Sequence, residues 1–394
     1  MAGILLFEAK DRGHVTLHSL HLLREAARRR REGRCIEISV VLPTAVLDRL
    51  PASLLDPWHV RELIPVESRA CEEGAAMARA TERWRLVADE VRRRRCAHVY
   101  WLELDIIQLQ LFAGRSPAPG VTQSGMLFRP SVHYRDAFGD RPTARERIRD
   151  LRKRLVYRGM LANRSLDTVF TFDPWFAQFA QSRFRTGVKV VGVTEPAESP
   201  DPVEEGENER APARARFLLP GSLDERKGVL QTLRALLLLP DEEADRVEVR
   251  LVGQLEDRIR PAVLDLIEEI RCRSRAKVSL LDGWATERQL AREYSSAHVI
   301  LLPYQRFVGS SGVLDRALRA AKPVITQNYG LLGHVCRTRG SGLTVDTREP
   351  AAVASALGGM TRRIDGNEQT PRPAATANAS FAEQVWDRIP AGVT

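Results

Sequence analysis

Short apolar runs alternate with longer helical patterns along this chain, and the alternation happens twice. In the second half, residues 216–220, 247–252, 278–281, 299–302 and 323–326 read as strands, with helical spacing over 228–239, 259–270, 287–295 and 311–321 between them. Strand, single helix, strand places both strands parallel in one sheet, and a series of such units covers both sheet faces with helices. The first half begins the same way. Ile4-Leu5-Leu6-Phe7 has a buried-strand pattern, a helix carrying His21, Leu22, Leu23 and Ala26 ends at Gly33, and 37–42 (EISVVL) is the next strand. Further strands are expected at 97–104, 121–128 and 168–172, and a strongly basic helix at 144–161. The expected fold class is α/β, with two doubly wound parallel-sheet domains.

The two halves are separated by EPAESPDPVEEGENERAPAR (195–214), a Pro- and Glu-rich stretch with little to bury. The resulting plan is a first domain over 1–195, a linker or surface loop over 196–214, a second domain over 215–370 and a tail over 371–394. At about 100–200 residues per domain, the length suits two separate cores. No apolar run approaches the ~18 residues that span a bilayer. The run 4–7 is too short for a secretory signal and lacks basic residues before it. The expected location is the cytoplasm, with a peripheral position at the inner membrane face as an option.

Five scattered cysteines, Cys35, Cys71, Cys96, Cys272 and Cys336, form no CxxC pair, which argues against a disulfide framework and against a zinc site. No metal and no cofactor are expected. Lys plus Arg number 60 against 51 Asp plus Glu, an excess of +9 that favours anionic partners. Two arginine-rich stretches, REAARRRREGR (24–34) and RERIRDLRKR (145–154), suit either contact with an anionic membrane or a solvated charged face. Nucleic acid is not an expected partner, because neither a recognised motif nor an aromatic platform accompanies the charge.

The stretch from Pro303 to Asp315 carries the most chemistry. A strand ends, and a loop of small residues, Gly309, Ser310, Ser311 and Gly312, leads into a helix. Small residues let backbone N–H groups approach an anion, and a helix N-terminus adds unpaired donors and partial positive charge. The same residues would also serve as a plain helix cap. Asp315 follows about one turn on, a plausible reach from a diphosphate to a ribose whose hydroxyls donate to one carboxylate. Arg226 and Lys227 stand at the end of another strand just before a helix, where a cation is unfavourable unless an anion joins it. In the first half, Gly13 and His14 follow the first strand. His14 is either a proton or phosphate partner or a cap for the next helix. Glu103 and Asp105 end a strand, where they bind hydroxyls or are salt-bridged, and Arg129 ends the next.

Together these residues resemble the retaining GT-B glycosyltransferases of the large family four (glycosyl transferases group 1). That family's Gly-Arg-Leu-x-x-x-Lys-Gly stretch stands here as Gly221-Ser222-Leu223-Asp224-Glu225-Arg226-Lys227-Gly228. Its Leu-x-x-x-Gly strand end corresponds only loosely to Leu251-Val252-Gly253, and its Val-x-x-x-Gly strand and loop to Val278 through Gly283, followed by Trp284. Its two glutamates, with seven residues between them around a Phe-Gly loop, correspond to Phe307 and Asp315. Its Gly-x-Pro-Val-Ile strand is Ala321-Lys322-Pro323-Val324-Ile325, and a Gly-rich loop follows over Tyr329 to Val335. The resemblance covers about 216–358, with three departures: Ser222 for arginine, Phe307 for the first glutamate and Asp315 for the second.

The resemblance implies two Rossmann-like domains facing across a cleft, the first on the acceptor side and the second binding a nucleotide sugar. It also implies that the terminal segment 381–389 (FAEQVWDRI) is a helix packing back on the first domain. The expected reaction moves a sugar from a nucleotide-diphosphate donor to an acceptor hydroxyl, with retention and without metal. Lys227, Asp315 and His14 are the expected catalytic residues. Arg226, Lys227, Gly309, Ser310, Ser311, Gly312 and Gly13 would hold the diphosphate, and Asp315 the ribose. Trp284, Phe307 and Tyr304 would meet the base or sugar, and Glu103, Asp105 and Arg129 an acceptor: a glycan, a lipid-linked sugar or a small molecule. The alternatives are a non-catalytic GT-B binding subunit, suggested by Phe307 and Ser222, and a nucleotide-sugar epimerase.

Overall fold

The computed structural model describes residues 3–11, 15–34, 36–128, 130–134, 144–184, 186–196, 214–366 and 380–390. Most of the linker 196–214 lies outside the described residues. The chain forms two compact units. One comprises the described residues up to 196 together with 380–390, and the other comprises 214–366.

The first unit is a seven-stranded parallel sheet: β1 (Gly3–Phe7), β2 (Ile38–Pro43), β3 (His59–Leu63), β4 (Cys96–Trp101), β5 (Thr122–Met126), β6 (Leu166–Thr171) and β7 (Lys189–Gly192), in the order β3-β2-β1-β4-β5-β6-β7. The internal strand β1 (GILLF) is apolar throughout because both of its faces are covered. Successive side chains go to opposite faces. Leu5, Phe7, Val99 and Trp101 join one core, while Ile4, Leu6, Tyr100 and Leu102 join the other. His98 lies in this sheet with no exposed surface, its two ring nitrogens 2.7 Å from the hydroxyls of Thr122 and Ser124 on the adjacent β5.

The second of these cores is completed by the helix Phe381–Trp386. Phe381, Val385 and Trp386 are buried in it, and the Trp386 indole N–H donates to the Leu22 carbonyl at 2.9 Å. The helix is started by a capping box in which the Ser380 hydroxyl and Glu383 carboxylate satisfy each other's backbone N–H groups.

The second unit is a six-stranded parallel sheet: β8 (Ala215–Pro220), β9 (Val247–Gly253), β10 (Lys277–Asp282), β11 (Val299–Leu302), β12 (Val324–Gln327) and β13 (Gly342–Val345), in the order β10-β9-β8-β11-β12-β13. The chain winds outward from β8 to β10, then returns to lay β11 against the other side of β8. That reversal makes the carboxyl ends of β8 and β11 a topological switch point, where open sheets of this kind bind ligands. Both strands end there in the two segments singled out above, Gly221–Gly228 after β8 and Pro303–Ser311 after β11.

Candidate functional site

After β8, Asp224 caps a single 3-10 turn (Glu225–Lys227), its carboxylate accepting from the Lys227 N–H at 2.9 Å. Gly228 then takes a left-handed conformation (φ 70°) and starts the helix Val229–Leu236. Glycine is required there, because a Cβ would sit 2.0 Å from the Pro303 carbonyl oxygen. This close approach locks the β8 turn to the β11 loop, a contact reinforced by the Gln305 N–H donating to the Arg226 carbonyl at 2.7 Å.

The Lys227 side chain is 6% exposed, and among the described residues no carboxylate pairs with it. Its ammonium donates to the Tyr304 hydroxyl and lies 4.3 Å from the centre of that ring. The Tyr304 hydroxyl in turn lies 2.9 Å from the Ser311 hydroxyl at the start of the helix Gly312–Arg319. Ser311 is the N-cap of that helix, but its side chain makes no capping hydrogen bond. Arg226 lies over the rings of Tyr304 and Phe307, at 5.5 and 5.3 Å from their centres, and also meets Asp224 at 3.1 Å.

The loop between Tyr304 and Ser311 is held from beneath. The Tyr304 carbonyl accepts from the hydroxyls of Thr347 (2.9 Å) and Tyr329 (3.1 Å), and the Arg306 N–H donates to the Tyr329 hydroxyl at 2.8 Å. Burial lifts the Tyr329 phenol above its ordinary pKa, so it stays a donor at neutral pH. Arg306 is left-handed (φ 50°), a strained state for a residue with a side chain. Its N–H bond to Tyr329 is one of the contacts that hold it there. Gly309, Ser310 and Ser311 are partly exposed and Gly312 is exposed.

The expected site residues divide as follows. Lys227, Arg226 and Ser311 come together at the switch point, with Gly309, Ser310 and Gly312 on the adjoining loop. Asp315 is on the first turn of the helix Gly312–Arg319, its carboxylate bonded to Arg319 at 2.7 Å. Tyr304 is buried, so it does not present a ring to a base or sugar as expected. It supports Lys227 instead. Phe307 packs against Tyr304 edge-on, at 5.2 Å between ring centres. Trp284 is 87% exposed, following the end of β10.

In the first unit, Glu103 pairs with Lys10 at 2.6 Å, and Asp105 accepts from the Phe128 N–H at 2.8 Å. Gly13, His14 and Arg129 lie outside the described residues. Sequence reasoning missed Asp224 and the support from Tyr329 and Thr347. The aspartate three residues before Lys227 was the available signal for a cap. It also missed the buried pair Glu8–Arg83 (2.6 Å) at the end of β1, where the same Glu8 oxygen accepts from the N–H groups of Ala9 and Lys10. Beside this pair, a hollow of about 520 Å³ is lined by Lys10, Asp11, Thr44, Ser68, Arg69 and Glu72.

The segment 214–362, which contains the whole switch-point site, matches the family model for glycosyl transferases group 1. Residues 214–362 belong to the glycosyl transferases group 1 family. A curated relative, the GDP-mannose:glycolipid 4-beta-D-mannosyltransferase of Xanthomonas campestris pv. campestris, is 28% identical over 152 residues, which is 39% of this chain and 40% of that protein. Two solved structures resemble nearly the whole chain. Sucrose-phosphate synthase from Thermosynechococcus elongatus has a TM-score of 0.63 at 16% identity, covering 95% of this chain and 92% of that one. WaaG, a glycosyltransferase involved in lipopolysaccharide biosynthesis, has a TM-score of 0.59 at 16% identity and covers all of both chains. At these identities the likeness is one of fold, and it assigns the two parallel sheets to the GT-B type. The group 1 unit is therefore the one built on β8 to β13.

Proposed function

We propose that this chain transfers a sugar from a nucleotide-diphosphate donor to an acceptor hydroxyl, with the donor's diphosphate held at the switch point of the group 1 unit. The observation that carries the reading is Lys227: a nearly buried ammonium with only neutral partners among the described residues, beside a partly exposed loop that opens a helix. A buried cation without a counter-charge is costly, and an entering diphosphate would supply that charge. Negative charge builds on the leaving diphosphate in the transition state, so fixed donors at that point lower the barrier. Arg226 and the N–H groups from Gly309 to Gly312 add to the same field. Asp315 would reach the ribose by sharing or releasing Arg319.

The mannosyl donor and glycolipid acceptor in the Xanthomonas relative's name make GDP-mannose and a lipid-linked sugar the first pair to test. The hollow beside the end of β1, with Lys10, Thr44, Ser68 and Glu72 in its lining, is our candidate for acceptor hydroxyls, and the cytoplasm our candidate location. Retention without metal is the expectation that comes with family four. A second reading, inversion, is favoured by the beta linkage in that relative's name if the donor is alpha-linked, and the anomeric proton signal of the product separates the two.

The decisive measurement is release of nucleoside diphosphate from sugar donors in the presence of acceptor. Lys227→Met should lower turnover by about 10²–10³-fold. Wild-type turnover in that variant would remove the proposal.

A further inference from the structure

The basic helix Ala144–Met160 in the first unit carries large aliphatic side chains on the wrong side for a core. Tyr157 and Met160 are buried and anchor its last turns. Ile148, Leu151 and Leu155 are 69%, 59% and 56% exposed. Their spacing of three and four residues sets them in one row along the helix. The row continues into Phe112, which is 49% exposed and packs over Gly159, where a Cβ would meet its ring at 2.1 Å. Arginines flank the row. On a helical projection Arg145, Arg149 and Arg152 lie to one side, and Arg147, Arg154 and Arg158 to the other. Arg145, Arg152 and Arg158 have no carboxylate partner among the described residues.

We propose that this helix is a docking surface for an anionic lipid bilayer, lying in the interface with Ile148, Leu151, Leu155 and Phe112 in the acyl boundary and the arginines among the headgroup phosphates. An apolar stripe between two cationic margins is the pattern that lies in a membrane surface, where burial and headgroup attraction add. Binding to a nucleic-acid backbone has no use for four exposed apolar side chains. A solvated charged face has none either. The surface is separate from the switch-point site, so it stands or falls apart from the transfer reaction.

The test is flotation of the full chain with vesicles of phosphatidylcholine alone and of phosphatidylcholine with phosphatidylglycerol, at low and high salt. The wild type should float only with the phosphatidylglycerol vesicles, and less so at high salt. A triple variant, Ile148→Ser, Leu151→Ser and Leu155→Ser, should lose binding by roughly tenfold or more. Replacing Arg145, Arg152 and Arg158 by Gln should cost about fivefold for each arginine. All six residues are exposed, so both variants should keep the wild-type melting temperature. Failure of the wild type to float, or equal binding by the triple variant, overturns the proposal. So does concentration-dependent self-association of the wild type that the triple variant abolishes, which would mark the row as a contact between copies.

Discussion

The switch-point site depends on how one side chain is held. Lys227 is too buried to move freely, and its ammonium is bonded to the Tyr304 hydroxyl, which is bonded onward to Ser311. Tyr304 therefore fixes where the positive charge sits without touching a ligand itself. Tyr304→Phe keeps the ring, the burial and the 4.3 Å cation–ring contact, and removes only the hydroxyl. A hydrogen bond to a charged group is worth about 1.5–3 kcal/mol. The expected result is a folded protein with donor-nucleotide affinity lowered about tenfold or more by isothermal titration, and with Ser311 free to cap its own helix. Affinity equal to wild type would show that Lys227 needs no such positioning.

Elements differ in how openly the sequence displays them. His98 shows what an internal strand hides. It joins β4 to β5 through two hydroxyls, and burial lowers its pKa from 6.5 to about 4. The unfolded chain then binds one more proton than the folded one between about pH 6.5 and 4, so stability is full above that window and falls as pH drops through it. The total is roughly 3 kcal/mol at 1.36 kcal/mol per pKa unit. Melting temperatures from pH 7 to pH 5 should fall more steeply for wild type than for His98→Asn, and parallel slopes would contradict the assignment.

The strands that sequence reading located include β1 and β11, which are apolar runs buried on both faces. It passed over β3, β7 and β13, and all three are sheet edges. An edge strand packs less completely, so HVREL in β3 carries His59, Arg61 and Glu62 and shows no apolar run. The candidate site was legible where it depends on position at a strand end, as with Lys227 and the glycine-serine loop. It was not legible where it depends on residues distant in sequence: Tyr304 reading as a ligand contact is the clearest instance, since its ring and hydroxyl are engaged by Lys227, 77 residues away.

Across the whole molecule the two units differ in how the sequence of their cores is arranged. The core of the group 1 unit is drawn from one continuous stretch, 214–366. The first unit draws on the helix Phe381–Trp386 as well, held by Trp386, by Arg29–Asp387 at 2.6 Å and by Gln384 donating to Thr194 at 3.1 Å. Trp386→Ala should cost roughly 3–5 kcal/mol, and that loss should fall on the first unit. Hydrogen exchange should show amides of β1 and β4 losing protection while those of β8 and β9 keep theirs. A uniform loss across both sheets would mean that the cores unfold as one. The same helix also sets an order of events on the ribosome. All of 214–366 is synthesised before the piece that closes the first unit, so the half that starts first is the half that finishes last, and nascent chains would expose the surface around His18, Phe128 and Phe172 until residues 381–386 emerge.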